Sequence, residues 1–198
     1  MKSFAPLAER LRSYGPLGDD ALEALRRLLI ARTFASETWL LRAGEPAQQA
    51  HWIESGLVRE YYVGEGGEEH IRRFVSEGEM TGSLLDLLSG APAVTFIQTL
   101  EPTRTLSFDY ARFDAVCAKF CELQLVARRF TEQLYVRKAQ REHEMLALTA
   151  RERLQKWQRE HARLDDRISR KHLASYLGVT PEHLSRLKRA GKSAIRTR

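Results

Sequence analysis

Residues 169–190, SRKHLASYLGVTPEHLSRLKRA, constrain the fold of this chain more than any other stretch. With Arg170 as the first position of a twenty-residue unit, Ala174 stands fifth and Gly178 ninth. A small fifth residue lets two helices cross closely, and a glycine at the ninth supplies the positive φ of a tight turn between them. Leu173, Leu177, Val179, Leu184 and Leu187 take the inward positions. Ser169 suits the cap of the first helix and Thr180 that of the second, with Pro181 at its first helical position. The spacing predicts a helix-turn-helix. The competing reading is an ordinary helical hairpin with a charged outer face.

Charge collects around this unit. Of the net +6 carried by the 198 residues, positions 149–198 hold 14 Lys and Arg against 5 Asp and Glu, and the rest of the chain is mildly acidic. A basic quarter on an acidic body points to a polyanionic partner for that quarter alone. Two cysteines, Cys117 and Cys121, exclude a disulfide framework and a four-thiolate cluster. They read as core packing or as a thiol switch. The start, MKSFAPLAERLR, has no apolar signal core, and no apolar run reaches the length of a membrane span. A cytoplasmic, reduced setting without membrane partners is expected. The six histidines lack ligand spacing, and no phosphate-cradling or nucleophile motif is present, so no metal, no cofactor and no enzyme activity are expected.

Along the chain, residues 17–31 carry leucines at helical spacing, with Asp19 as the expected cap. From about 33 to 109 short apolar runs alternate with glycines. LVREYYV, GEGGEE and HIRRFV read as a hairpin, 84–88 as a helical turn, and 94–100 and 103–108 as strands. Many short strands in so few residues predict a small antiparallel barrel or jelly roll. Glycine then vanishes until Gly178. A long helix is expected from about 122 to 145 or 148, with Thr149 capping the next. Leu123, Val126, Phe130 and Leu134 form an apolar stripe on it, the expected dimer interface. Trp39, Trp52 and Trp157 are expected in cores. The fold class is α+β: an N-terminal antiparallel β-roll or jelly roll with flanking helices (1–110), a linker and dimerisation helix (111–148) and a helix-turn-helix domain (149–198).

With these elements in this order, the chain resembles the Crp/Fnr family of bacterial transcription factors over nearly its full length. ASYLGVTPEHLSRLKR and HWIESGLVREYY carry the resemblance most sharply, and GEMTGSLLDLLSGAP and FIQTLEPT resemble a short-chain branch. The resemblance implies a sensory roll with an undefined small-molecule effector, a homodimer, double-stranded DNA as partner and RNA polymerase as a further one. Glu182, Ser185 and Arg186 match the family's base-reading pattern, in which the arginine takes a guanine and the carboxylate a cytosine. Glu182 can also simply complement the helix N-terminus. Ser169, Arg170, Lys171, Thr180, His183, Lys188, Arg189 and Lys192 are phosphate candidates.

The chain departs from the family at two places. Members that bind cyclic AMP carry a Gly-Glu pair and, about ten residues on, an Arg followed by Ser or Thr. Here Gly82-Ser83 and Ala93-Val94 stand at those places, so both charged groups are missing from the effector pocket. A buried phosphate without a cation is costly, and no cyclic nucleotide is expected to bind. Only GKSAIRTR follows Ala190, so a full two-stranded wing is not expected. The alternative function is a ligand-binding or scaffolding protein whose basic end meets a protein or RNA.

Overall fold

The computed structural model describes the backbone of residues 4–195 and the side chains of 4–190. The chain divides into two compact units, Met1–Tyr61 with Phe74–Val136, and Tyr62–Arg73 with Arg137–Arg198.

The first unit opens with α1 (Ala5–Arg12) and α2 (Asp19–Arg26). Strands follow: β1 (Ile30–Phe34), β2 (Trp39–Leu41), β3 (Gln49–Ser55), β4 (Val58–Val63), β5 (Glu69–Val75) and β6 (Met80–Thr81). Helix α3 (Leu84–Ser89) precedes β7 (Phe96–Thr99) and β8 (Thr103–Asp109), and α4 (Tyr110–Cys117) precedes the long α5 (Cys121–Ala147). The strands form two four-stranded sheets, ordered β1-β8-β3-β6 and β2-β7-β4-β5. This is the expected roll with flanking helices. The helix expected over 17–31 is shorter. It ends at Arg26, and Ile30–Phe34 pairs antiparallel with β8 from Ile30↔Ser107 to Phe34↔Thr103. Pairing with a distant strand overrides the local helical pattern.

Alternation along the strands separates two faces. Ile53, Val58, Val75, Ala93, Ile97 and Leu41 form the core between the sheets. His51, Ser107 and Thr81 share a cross-strand row on that inner side, because His51 pairs with both neighbours. On the outer face Trp52 and Leu106 pack with Leu7 of α1. Gly56 makes the turn between β3 and β4 at φ 110°, and a Cβ there would stand 2.7 Å from the Thr103 Cα, so only glycine fits. Trp39 departs from expectation: it is 38% exposed, with the Arg42 guanidinium 4.6 Å from its ring centroid.

A helical core joins Ala21, Leu22 and Leu25 of α2 and Cys117 of α4 to Leu123 and Val126 of α5. Leu123 is 1% and Val126 3% exposed, already covered by the chain's own helices. Phe130 packs against the same core, edge-on to Tyr14 at 5.7 Å. Of the four stripe residues, Phe130 and Leu134 are the half-buried pair. The large apolar side chains that α5 does expose are Tyr135, Val136, Met145 and Leu146.

In the second unit, α6 (Ala150–Glu160) is followed by a short 3-10 turn, α7 (Arg170–Leu177) and α8 (Pro181–Ile195). Thr149 closes a full capping box with Glu152, as its position suggested, a device that stabilises a helix start by about 1 kcal/mol. Leu154, Trp157, Leu164, Ile168, Leu173, Ala174, Leu177 and Leu184 are buried in this unit. Residues 62–73, the tip of the β4–β5 hairpin, belong to it as well.

Candidate functional site

The helix-turn-helix is built as its spacing requires. The Ser169 hydroxyl accepts the His172 N–H at 3.1 Å, and the Thr180 hydroxyl accepts the His183 N–H at 3.2 Å. Gly178 turns the chain between them in the left-handed region, φ 67°. Ala174 has no exposed surface, which permits the close crossing of α7 and α8. Leu184 anchors the inner side of α8, whereas Glu182 and Arg186, one turn apart, are exposed and Ser185 is half-exposed.

Electrostatics separate these groups. The Glu182 carboxyl is held below its usual range by its own backbone N–H and the Thr180 hydroxyl, with Arg186 adding attraction. It thus completes the first turn of α8 in the unliganded chain. The Ser185 hydroxyl donates to the Pro181 carbonyl at 2.9 Å. Lys188 forms an ion pair with Asp165 at 3.5 Å, and Asp165 in turn accepts from the Trp157 indole at 2.8 Å. Among the remaining phosphate candidates, Arg170, Lys171 and Arg189 are exposed and His183 is half-buried. The Lys192 side chain lies outside the described residues, as does any wing beyond 195.

Three further side chains support this unit. Arg153 donates to the Leu177 carbonyl at 2.9 Å and to the Leu148 carbonyl at 2.6 Å, tying the ends of two helices together. Arg141 lies 4.0 Å from the Tyr176 ring centroid, donates to the Tyr176 carbonyl and pairs with Glu144 at 3.6 Å. Ser175 accepts the Ile71 N–H at 3.0 Å and donates to the Glu69 carbonyl, so the hairpin tip docks on α7.

In the roll, the expected effector positions surround a carboxylate. Ser83 and Ala93 are buried and Val94 is exposed at its side chain. Asp86 of α3, three residues beyond Ser83, accepts the Val94 N–H at 3.2 Å on one oxygen and the Thr95 N–H at 3.3 Å on the other. Burial pushes its carboxyl up, but the Ser83 and Thr95 hydroxyls and these two N–H groups outweigh that and hold it below the ordinary range. Those two hydroxyls also bond each other at 2.9 Å. Gly82 turns the chain into Ser83 with φ 150°. Among the described residues no group of three or more His, Cys, Asp and Glu is placed to hold a metal. Among the described residues no helix is long and apolar enough to cross a membrane.

Residues 31–120 match the model of the cyclic nucleotide-binding domain. The chain is 28% identical over 164 residues to the fumarate and nitrate reduction regulatory protein of Vibrio cholerae. It also superposes on the structure of FixK2 from Bradyrhizobium japonicum with a TM-score of 0.73, covering 84% of this chain and 85% of that one at 18% identity. The chain is thus similar in sequence to the Vibrio cholerae regulatory protein and in fold to FixK2. The structure of the c-di-GMP-responsive global regulator CLP of Xanthomonas campestris superposes with a TM-score of 0.71 at 16% identity over 89% of this chain and 93% of that one. The Vibrio cholerae and Xanthomonas campestris proteins are both named as regulators. The match to the Vibrio cholerae protein spans 75% of this chain and 63% of that protein's length.

Proposed function

We propose that the chain is a sequence-specific regulator of transcription that binds double-stranded DNA as a cytoplasmic homodimer. Residues 1–110 are its sensory roll, 111–148 its linking and pairing segment, and 149–198 its DNA-binding part. The observation that carries this reading is the exposure of Glu182 and Arg186 on α8, opposite the anchoring Leu184. Arg186 has the fork that bonds guanine O6 and N7 together, and Glu182 can accept from cytosine N4. Glu182 stands in the first turn of α8. Ser185 completes the base-reading set. Ser169, Arg170, Lys171, Thr180, His183, Lys188, Arg189 and Lys192 face phosphates in this reading and fix register rather than sequence.

Pairing runs through α5 at Tyr135 and Val136, both exposed, beside the half-buried Phe130 and Leu134. Two recognition helices related by a two-fold axis then enter major grooves about 34–36 Å apart. Selection of bound duplexes from a random pool tests the whole reading. An inverted repeat with half-sites one helical turn apart is the expected product. A pool that stays random, with affinity that only tracks salt, defeats it.

A further inference from the structure

We propose that Asp86 is an internal anion that closes the roll's oxyanion cradle, and that this one side chain sets the class of ligand the cradle admits. The inference deepens the sensory reading of the roll and rests on it. Two backbone donors converge here, the N–H groups of Val94 and Thr95, at 3.2 and 3.3 Å from the two carboxylate oxygens, beside the mutually bonded hydroxyls of Ser83 and Thr95. Two consecutive N–H groups each serving one oxygen of the same anion match the geometry by which a phosphate or carboxylate ligand is held. The residues around it are sealed: Asp86 is 3% exposed, and Ser83 and Thr95 are buried with it.

The sequence offers no cation at Ala93 or Val94 to draw in a second anion. An incoming oxyanion would have to expel Asp86 and leave that carboxylate buried near its own charge. The cradle of the natural chain therefore rejects phosphate- and carboxylate-bearing ligands. The same donors, freed of Asp86, take up a tetrahedral or planar oxyanion.

Substituting Asp86 and supplying inorganic phosphate tests this by chemical rescue. In Asp86→Ala, phosphate is expected to raise the thermal midpoint by about 2–4 °C over chloride at equal ionic strength. The natural chain is expected to show no difference between the two salts. If Asp86→Ala does not fold in chloride, recovery on refolding in phosphate is the same result. Asp86→Asn, which keeps the shape and loses the charge, is expected to show a smaller phosphate-specific rise. Absence of a phosphate-specific effect in both variants overturns the proposal, as does an equal rise in the natural chain. The measurement contains no DNA, so its failure leaves the DNA-binding reading standing.

Discussion

Ser175 and Ile71 are held together although 104 residues separate them: the Ser175 hydroxyl accepts the Ile71 N–H at 3.0 Å and gives its own proton to the Glu69 carbonyl. One hydroxyl on α7 thus serves two backbone groups of β5, which lies at the edge of its sheet. Edge strands present such groups with no ladder partner on one side, and a docked side chain can satisfy them.

Ser175→Ala removes both bonds. Each is worth about 0.5–1.5 kcal/mol, so amide exchange at Ile71 should quicken about two- to tenfold while the core amides of the roll are unchanged. Unaltered exchange at Ile71 would show that the docking contributes nothing.

Arg186→Ala should cost about 1–3 kcal/mol of specific DNA binding per half-site and relax preference at one base pair. Lys188→Ala should weaken specific and random duplexes alike and lower the salt slope by about one. Gel-shift titrations across a salt series separate the two. An Arg186→Ala protein with unchanged sequence preference would remove α8 from its assigned role.

The long helix offers two kinds of apolar residue, and mutation should tell them apart. Tyr135→Asp, at a side chain 71% exposed, should yield monomers by light scattering with little change in the stability of the monomer. Leu123→Ala, inside the chain's own core, should instead cost about 2–5 kcal/mol in unfolding free energy through the cavity it leaves. A Tyr135→Asp protein that remains dimeric at micromolar concentration places the pairing surface elsewhere.

His51 should make the roll acid-sensitive. Burial, assisted by the nearby Arg32, lowers its pKa from 6.5 to about 4. The ring bonds Ser107 at 2.7 Å, and its row neighbour Thr81 donates to the Glu60 carboxylate on the facing sheet. The unfolded chain takes up a proton near 6.5 and the folded chain only near 4, so the unfolded state binds more protons between those values. Stability is therefore complete above 6.5 and falls as pH drops towards 4, by up to about 3 kcal/mol from this group. Urea unfolding at neutral pH and near the lower limit should show a smaller drop for His51→Gln than for the natural chain. Equal drops would assign the acid sensitivity to other groups.

Alkylation should distinguish the two thiols. Cys117 is buried, and burial together with Asp114 pushes its pKa up to about 11. Cys121 is exposed at the start of α5. Iodoacetamide at neutral pH should modify Cys121 at least tenfold faster, read by mass spectrometry, because the thiolate is the nucleophile. Comparable rates would mean that the α4 end opens readily.

The helix-turn-helix was legible because its information is local. The caps Ser169 and Thr180, the small Ala174 and the left-handed Gly178 each act within a few residues, so spacing alone determined their geometry. The β4–β5 hairpin and the Thr149 cap were readable for the same reason. An apolar stripe, by contrast, says that a surface is covered but not by what. Leu123 and Val126 met the chain's own α2 and α4, and only packing decided that. Ile30–Phe34 became a strand because β8 lay beside it. Asp86 gave no sign of its role, since its donors at Val94 and Thr95 reach it only once the turn between α3 and β7 has closed. Local chemistry thus fixed the helix caps and turns of this protein, while the choice of partner for each buried group waited on tertiary structure, because burial is satisfied by any complementary surface and a sequence does not say which one arrives.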